Sequence, residues 1–551
     1  LDPEMARLVA QREAINVLVL GSISNSDGSY QITVEAVDGL SGESLATHAV
    51  DVAQKDEVLE AVGDLVVRTR RSLGDAVPES VELAAKETFT ASSLEAAGAY
   101  SRAQELMGTG RWPEAISQYL LAVQIDPDLG RAYAGAAVCY ANLGRVEEAE
   151  QNFQKAMVHI DRMTDRERHR SRGGYYLMTR NYSKAVDEYQ ALLADFPYDA
   201  GGLNNLPLAH FYGRNMALAV EEGRRVVEIY PEHVMPRANL ALYSMYAGDF
   251  SGAIREATVV LEANPNYELA YIATALSELA QGNVDAALAR YEALRLFSAW
   301  GASLAASGLA DVALYEGRLE DAVEILEQGI RGDRAGGNEG EAARKLTVLA
   351  QTLATLGNEA EALAAADEAI ESSGRESVLL PAARVYLDLG REAKALELSD
   401  QLGFRIGPDP QVYSKLITAE MEFNRGHFQK AVVLVAEAQK VLDTWVGRFL
   451  LGRAYLEAGA FTEAHSEFES CLERRGEATA LFLDDVPTYH HLPPVHYWLG
   501  RALEGLGSDA ADESYRAYLE IKTKSDVDRL VEDAERRLVA SLSGRTADTN
   551  R

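Results

Sequence analysis

Apolar and small residues recur along most of the chain in a frame that fits pairs of α-helices. In NLGRVEEAEQNFQKA, residues 142–156, an alanine follows the glycine by five residues, an aromatic residue comes four later, and a second alanine three after that. Polar residues fill the places between, so the apolar ones share one helix face. The frame occurs twelve times, with marker alanines Ala115, Ala149, Ala185, Ala219, Ala253, Ala287, Ala322, Ala362, Ala395, Ala431, Ala464 and Ala511.

The intervals between the markers indicate which helical repeat this is. They lie between 33 and 36 residues, apart from intervals of 40 and 47. A period near 34 is the length of the helix–turn–helix unit of tetratricopeptide repeats. A small residue is also needed twelve positions before each marker, where the two helices of a unit cross closely. Ten of those twelve residues are alanine or glycine, and the exceptions are Pro207 and Leu499, which has Gly500 beside it.

Turn residues support the same register. Glycine five positions before a marker supplies the left-handed backbone that ends a helix, and it occurs at Gly110, Gly144, Gly248, Gly282, Gly317, Gly357, Gly390, Gly426 and Gly459. Proline twelve positions after a marker stops the second helix, and it occurs at Pro127, Pro197, Pro231 and Pro265. The sequence therefore predicts a mainly α fold, a tetratricopeptide-repeat α-solenoid of about twelve repeats.

The first residues follow a different pattern. Residues 15–21, INVLVLG, are apolar on both faces, which is typical of a central strand, and an Asp27-Gly28 turn follows. Residues 30–36 alternate as a half-buried strand, and 44–50 form a third. An apolar helical stripe runs from Val58 to Leu73, and a helix is expected on either side of the strands. These residues predict a small, incomplete α/β module, with the chain itself a fragment or a processed form.

The pattern divides the chain into segments. We predict the α/β module over 1–75, a linker over 76–92 and the solenoid over 93–523. Two insertions interrupt the solenoid: 332–341 is polar and glycine-rich, a surface loop, and 476–494 carries large apolar residues that pack on the helices. An amphipathic helix over 524–540 caps the solenoid, and 541–551 is a flexible tail.

Three stretches resemble a known family. LVLGSISNSDGSYQITVEAVDGLSGESLA is similar to the closing strands of a TolB-like module, and DRMTDRERHRSRGGYYLMTRNYSKAVDEY is similar to a characteristic repeat. CLERRGEATALFLDDVPTYHHLPPVHYWLGRALEGLG, followed by ESYRAYLEIK, is the most specific part. Together they resemble the region after the kinase domain in eukaryotic-like bacterial serine/threonine protein kinases that end in tetratricopeptide repeats. The resemblance implies a kinase domain and a membrane segment upstream.

Composition narrows the function classes. The net charge of −32 opposes binding to nucleic acid. No stretch of the sequence reaches the 18 uninterrupted apolar residues that a membrane-spanning helix needs. Kinase loops, a Walker loop, HExxH and G-x-S-x-G are all missing from the sequence. We therefore expect no catalysis and no cofactor in this chain.

Candidate binding residues follow from the register. The first helices of such repeats line a concave groove, and inward positions recur at fixed offsets from the markers. Asparagine amides can grip a peptide backbone, and tyrosine offers a ring and a hydroxyl. The alternative is hydrogen bonding between helices. The candidates are Arg131, Arg170, Asn205, Tyr212, Asn239 and Tyr246. The lysines of the known carboxylate clamp of this repeat class are not in register.

Two further clusters have a simpler alternative. Arg162, Arg166, Arg168, Arg170 and Arg172 would suit a phosphate or an acidic peptide; the alternative is a solvated helix start paired with nearby acids. His490, His491 and His496 lack a cysteine or a spaced carboxylate to complete a metal site, so packing and capping are expected.

These observations predict a non-catalytic region that holds a protein or peptide and serves an attached kinase as a sensor or scaffold. The resemblance places it in a bacterium, associated with the membrane through an upstream segment. The alternatives are a free-standing scaffold subunit of a multiprotein assembly and an enzyme with a site between module and solenoid.

Overall fold

A computed structural model describes residues 16–26, 28–39, 41–75, 90–143, 145–231, 233–522 and 528–548. The chain forms two compact units, Leu1–Leu206 and Pro207–Arg551. The predicted linker falls largely on residues 76–89, which lie outside the described part.

The first unit opens with an antiparallel sheet in the order β1 (Val17–Ser26), β2 (Ser29–Asp38), β3 (Ser44–Val52). Helix α1 (Val58–Ser72) packs on β2 and β3, and its Val58 and Leu65 are fully buried. Among the described residues β1 lies at the edge of the sheet, in contrast to its prediction as a central strand. Within the described residues β1 pairs with β2 alone, and its Val19 is 59% exposed. Val19 and Ile23 of β1 are exposed, whereas Val17, Leu18 and Leu20 are half-buried. The helix predicted before β1 lies outside the described residues.

Helices follow in antiparallel pairs. In the first unit they are α2 (Leu94–Gly108), α3 (Trp112–Ile125), α4 (Gly130–Asn142), α5 (Val146–Val158), α6 (Asp165–Met178) and α7 (Tyr182–Asp195). Helix α8 (Ala200–Tyr212) contains the boundary between the units.

The second unit continues the pairs and ends in one further helix. Its helices are α9 (Met216–Ile229), α10 (Val234–Tyr246), α11 (Phe250–Ala263), α12 (Glu268–Ala280), α13 (Val284–Leu294), α14 (Ala299–Glu316), α15 (Leu319–Ala335), α16 (Glu339–Thr355), α17 (Glu359–Ser372), α18 (Glu376–Asp388), α19 (Glu392–Gly403), α20 (Pro408–Asn424), α21 (Phe428–Val441), α22 (Trp445–Glu457), α23 (Phe461–Glu473), α24 (Pro493–Gly505), α25 (Ala511–Ile521) and α26 (Arg529–Asp548). The prediction of a helical solenoid of about twelve repeats is confirmed, because α2–α25 form twelve pairs.

Small residues allow the two helices of each pair to interlock. A Cβ added to Gly173 would lie 2.7 Å from the ring of Tyr189, four residues after the marker alanine of that repeat. In the last repeat a Cβ on Gly500 would lie 2.7 Å from the Tyr515 ring. Gly500 therefore fills the role that the sequence register assigned to Leu499. Large aromatic side chains in the second helix pack directly on the backbone of the first.

The turn residues within the repeats adopt the left-handed backbone conformation, as predicted. Eight of the predicted turn glycines have φ between 69° and 90°: Gly110, Gly248, Gly282, Gly317, Gly357, Gly390, Gly426 and Gly459. Arginine takes this position in two repeats, with φ 58° at Arg180 and 63° at Arg214. A side chain in this region costs roughly 1–2 kcal/mol.

The polar insertion at 332–341 is smaller than expected. Helix α15 runs on to Ala335 and α16 begins at Glu339, so only residues 336–338 form the turn. The extra residues of this repeat lengthen its helices instead of making a loop. At the other end, α26 continues to Asp548, through most of the segment predicted as a flexible tail.

The insertion at 476–494 packs inside the second unit. Tyr489 is 2% exposed and Leu481 6%. The Tyr246 hydroxyl of α10 donates to the Asp484 carbonyl at 2.6 Å, and the His490 backbone N–H donates to Asp311 of α14 at 2.9 Å. The segment therefore contacts the first helices of several repeats of this unit.

Candidate functional site

The first unit contains a cleft of about 510 Å³, lined mainly by first helices of successive repeats. Its walls come from Tyr100, Gln104 and Met107 of α2, Arg131, Ala134, Gly135 and Val138 of α4, Phe153 of α5, Thr164, Arg166, Glu167, Arg170, Ser171 and Gly174 at α6, Tyr189 of α7, and Ala200, Gly201 and Asn205 of α8. The structure thus brings together three of the predicted groove residues, Arg131, Arg170 and Asn205, in one cavity.

A buried carboxylate orders two arginines at one end of the cleft. The Asp199 side chain is 0% exposed and lies just before α8. Arg170 donates to it through Nε at 2.9 Å and through Nη2 at 2.6 Å, and Arg166 donates through Nε at 2.7 Å. The backbone N–H of Gly202 donates to the same carboxylate at 2.9 Å. The carboxylate therefore accepts four contacts, three of which hold the two guanidinium groups in place.

The protonation of Asp199 follows from these contacts. Burial alone would raise the pKa of the Asp199 carboxyl, but hydrogen bonds and charge from Arg170, with further donors Gly202 and Arg166, hold the pKa below its ordinary value. Asp199 stays ionised at neutral pH. Each arginine still exposes more than a third of its side chain, 36% for Arg166 and 38% for Arg170.

A third arginine lies between α2 and α6. The Arg131 guanidinium sits 3.9 Å from the centre of the Tyr100 ring and forms an ion pair with Glu167. Thr90 donates to Glu167 at 3.0 Å, and the Glu167 carboxylate also accepts from the Thr164 backbone N–H at 3.1 Å in a capping box. Stacking and ion pairing hold Arg131 at 20% side-chain exposure.

Asn205 forms a hydrogen bond between helices, which was the alternative to ligand binding. Its Nδ2 donates to the Tyr189 hydroxyl at 3.1 Å, and its Oδ1 accepts from Asn204 at 2.9 Å. The Tyr189 ring is buried, and burial raises the pKa of its hydroxyl. The amide therefore links α7 to α8 at the wall of the cleft.

The other three predicted residues belong to the second unit. Tyr246 is 4% exposed and its hydroxyl bonds to the inserted segment. Tyr212 is 36% exposed, with its ring 5.2 Å from that of Phe211. Asn239 is half-buried on α10. In this unit the chain's own residues 476–492 supply the partner of Tyr246.

The basic run divides between two roles. Arg166 and Arg170 reach the cleft, whereas Arg168 pairs with Asp165 and Arg172 lies 4.0 Å from Glu188. Sequence reasoning named the arginines but missed Asp199, which orders them. A signal was present: Asp199 accepts from Gly202 three residues later, as an N-cap aspartate does.

The rings of His490 and His491 lie in contact at a tilt of 36°, with centres 4.2 Å apart, and His490 Nδ1 lies 2.7 Å from Asp311. Across the described ranges, no group of three or more His, Cys, Asp or Glu is arranged to hold a metal ion. None of the helices in the described part is long and apolar enough to cross a membrane.

Comparison with known proteins identifies the repeats. The family model for the tetratricopeptide repeat matches residues 100–160, 239–303 and 307–376. The Hsp70-Hsp90 organizing protein of Triticum aestivum is 29% identical over 90 residues, which cover 16% of this chain and 15% of that protein. The chain therefore carries tetratricopeptide repeats, which imply a protein-interaction scaffold and are typically non-catalytic.

Solved structures with similar folds share little sequence. Yeast Tom70 is 13% identical with a TM-score of 0.35, covering 82% of this chain and 96% of that one. The human IFIT1 dimer with m7Gppp-AAAA is 14% identical with a TM-score of 0.37, covering 75% and 95%. YrrB, described as a TPR protein with an unusual peptide-binding site, is 16% identical with a TM-score of 0.25, covering 32% and 89%. Similarity at this level says nothing about a ligand.

Proposed function

We propose that this chain is a non-catalytic scaffold that binds a peptide segment of a partner protein in the cleft of its first unit. The observation that carries the proposal is the cavity of about 510 Å³ between α2, α4, α6 and α8. It joins apolar walls to a few fixed polar groups, the usual composition of a binding site. Tetratricopeptide repeats bind partners with this face of their first helices.

The packing of the second unit favours the first unit as the binding site. Residues 476–492 lie against α10 and α14. They form hydrogen bonds with polar groups of these helices, as Tyr246 and Asp311 illustrate. A peptide at those helices would have to displace a buried segment of the chain itself. Among the described residues, no segment of the chain fills the cleft of the first unit in this way.

Selection from a phage-displayed library of random 12-residue peptides tests the proposal. We expect enriched peptides that bind with micromolar affinity when measured by fluorescence polarisation. Ala200 is exposed at the cleft, so Ala200→Trp should obstruct it and weaken binding at least tenfold. Ala263→Trp, at an exposed residue ending α11, is the matched control. Failure to enrich any peptide, or equal binding by both variants, would refute the proposal.

We further propose, from the sequence resemblance, that the scaffold serves a bacterial serine/threonine protein kinase anchored in a membrane. The parent reading frame and its fractionation test this. A kinase domain and a membrane segment in the same frame would support it. A frame without them would favour the free-standing scaffold subunit, and the peptide-binding proposal would be unaffected.

A further inference from the structure

The walls of the cleft are basic in a strongly acidic protein. Three arginines, Arg131, Arg166 and Arg170, line it against a single carboxylate, Glu167, whereas the whole chain carries a net charge of −32. Asp199 pairs with two of these arginines from behind, with its side chain fully buried. An entering ligand therefore meets the guanidinium groups and not the carboxylate that orders them.

The basic groups share one end of the cleft. Arg131 and Arg166 are each the second residue of their helices, α4 and α6, and Ala200 and Gly201 begin α8. The C-terminal parts of α2 and α4 supply Met107 and Val138, with Gln104 the polar residue beside them, so the other end is mainly apolar.

We infer that the cleft selects a peptide that presents an aspartate or glutamate side chain to Arg166 and Arg170 and a large apolar side chain to the Met107 and Val138 end. This rests on the proposed peptide-binding function and specifies its ligand. Arginine donors fixed in advance lose little freedom when they bind a carboxylate. Asp199 is a positioning residue in this arrangement.

Substitutions at Arg170 and Asp199 separate binding of the acidic side chain from positioning of the arginines. Arg170→Gln should weaken binding of a selected acidic peptide roughly 10-fold, because one of the two arginine donors is lost. Asp199→Asn should weaken binding about 3-fold, because the arginines lose the carboxylate that holds them in place, while an amide oxygen remains to accept from Gly202. Arg172→Gln is the matched control: it lies on the same helix at 39% exposure and outside the cleft.

Folding must be separated from recognition. Arg170→Gln leaves Arg166 and Gly202 on the buried carboxylate, and a variant combining Arg166→Gln, Arg170→Gln and Asp199→Asn removes both charges without stranding that carboxylate. Thermal melting reports whether each variant is folded. In the combined variant, a peptide and its version with the acid changed to the amide should bind equally well, whereas the wild type should prefer the acid by 10-fold or more.

The outcomes distinguish the inference from the function it rests on. Peptides that bind without enrichment of Asp or Glu, or an Asp199→Asn variant that melts normally and binds the acidic peptide as tightly as the wild type, would overturn the inference and leave the scaffold intact. A phosphoserine peptide that binds 10-fold tighter than its glutamate version would overturn it in favour of a phosphopeptide ligand. If no peptide is selected at all, both the inference and the peptide-binding function are refuted.

Discussion

At the residue scale, Asn205 lies at the wall of the cleft and also joins two helices. The Tyr189 hydroxyl that it contacts is buried, so losing the amide leaves a polar group without a partner. We expect Asn205→Ala to lower the free energy of unfolding by about 1–3 kcal/mol. Tyr189→Phe should change it less, and the double variant should recover part of the loss. Denaturant melts of the four proteins measure the coupling; additive effects would show that the hydrogen bond contributes nothing.

The buried polar contacts of the Arg214 side chain account for its strained backbone. Its φ is 63° where most repeats have glycine, and its side chain, 4% exposed, contacts Asp409 at 3.4 Å, the Tyr413 hydroxyl at 3.4 Å and the Leu481 carbonyl at 3.5 Å. Arg214→Gly relieves the strain but removes the buried cation. We expect a net loss of about 1–3 kcal/mol in unfolding free energy, because removing one partner of a buried pair costs more than the turn recovers. A higher melting temperature for Arg214→Gly would show that strain dominates.

Glu422 links stability to acid pH. Hydrogen bonds from His427 at 2.7 Å and Lys430 at 3.1 Å, with the charge of Arg425, lower the pKa of Glu422 to about 2 from its ordinary 4.5. A carboxyl with a depressed pKa in the folded state stabilises above its unfolded pKa, and that contribution is lost as pH falls through 4.5 towards 2. Glu422→Gln should therefore melt below the wild type at pH 7, and the gap should close between pH 4.5 and 2.

The exposed Glu437, which lies 3.1 Å from Lys415, is the control for that titration. An exposed ion pair contributes little, so Glu437→Gln should melt close to the wild type across the same pH range. A gap for Glu422→Gln that stays constant down to pH 2.5 would contradict the assigned pKa.

At the element scale, the inserted segment begins at Gly476, where the neighbouring backbone leaves no room for a side chain. A Cβ on Gly476 would lie 2.5 Å from the carbonyl oxygens of Met245 and Tyr246, which are backbone atoms and cannot swing aside. Its φ of −58° is ordinary, so close approach and not conformation requires glycine. Gly476→Ala should lower the unfolding free energy by roughly 1–3 kcal/mol.

Gly340 provides the matched control for that substitution. It lies in the first turn of α16, and a Cβ there meets no atom within 4 Å. Alanine favours a helix over glycine by up to about 1 kcal/mol, so Gly340→Ala should be neutral or stabilising. Equal effects of the two substitutions in urea melts would show that the insertion is not tightly packed at its start.

Elements with a regular spacing were predictable, and those that depend on distant partners were not. Every marker alanine lies in the second helix of a pair because local periodicity and turn glycines define those helices. Asp199, in contrast, acts on residues about 30 positions earlier, and no local pattern couples it to Arg166 and Arg170. The edge position of β1 was missed for a related reason: apolar residues on both faces indicate a buried strand only when neighbours cover both.

At the scale of the whole molecule, two compact units predict two regions of independent opening. Repeat proteins are stabilised mainly by contacts between neighbouring repeats, so a local defect spreads first within its own unit. Gly476→Ala should therefore accelerate hydrogen exchange within residues 207–522, and Asn205→Ala within 94–206. Mass spectrometry of peptic fragments measures both variants. The reciprocal pattern is the informative part: deprotection spread evenly over both ranges in either variant would mean that the chain opens as one cooperative unit.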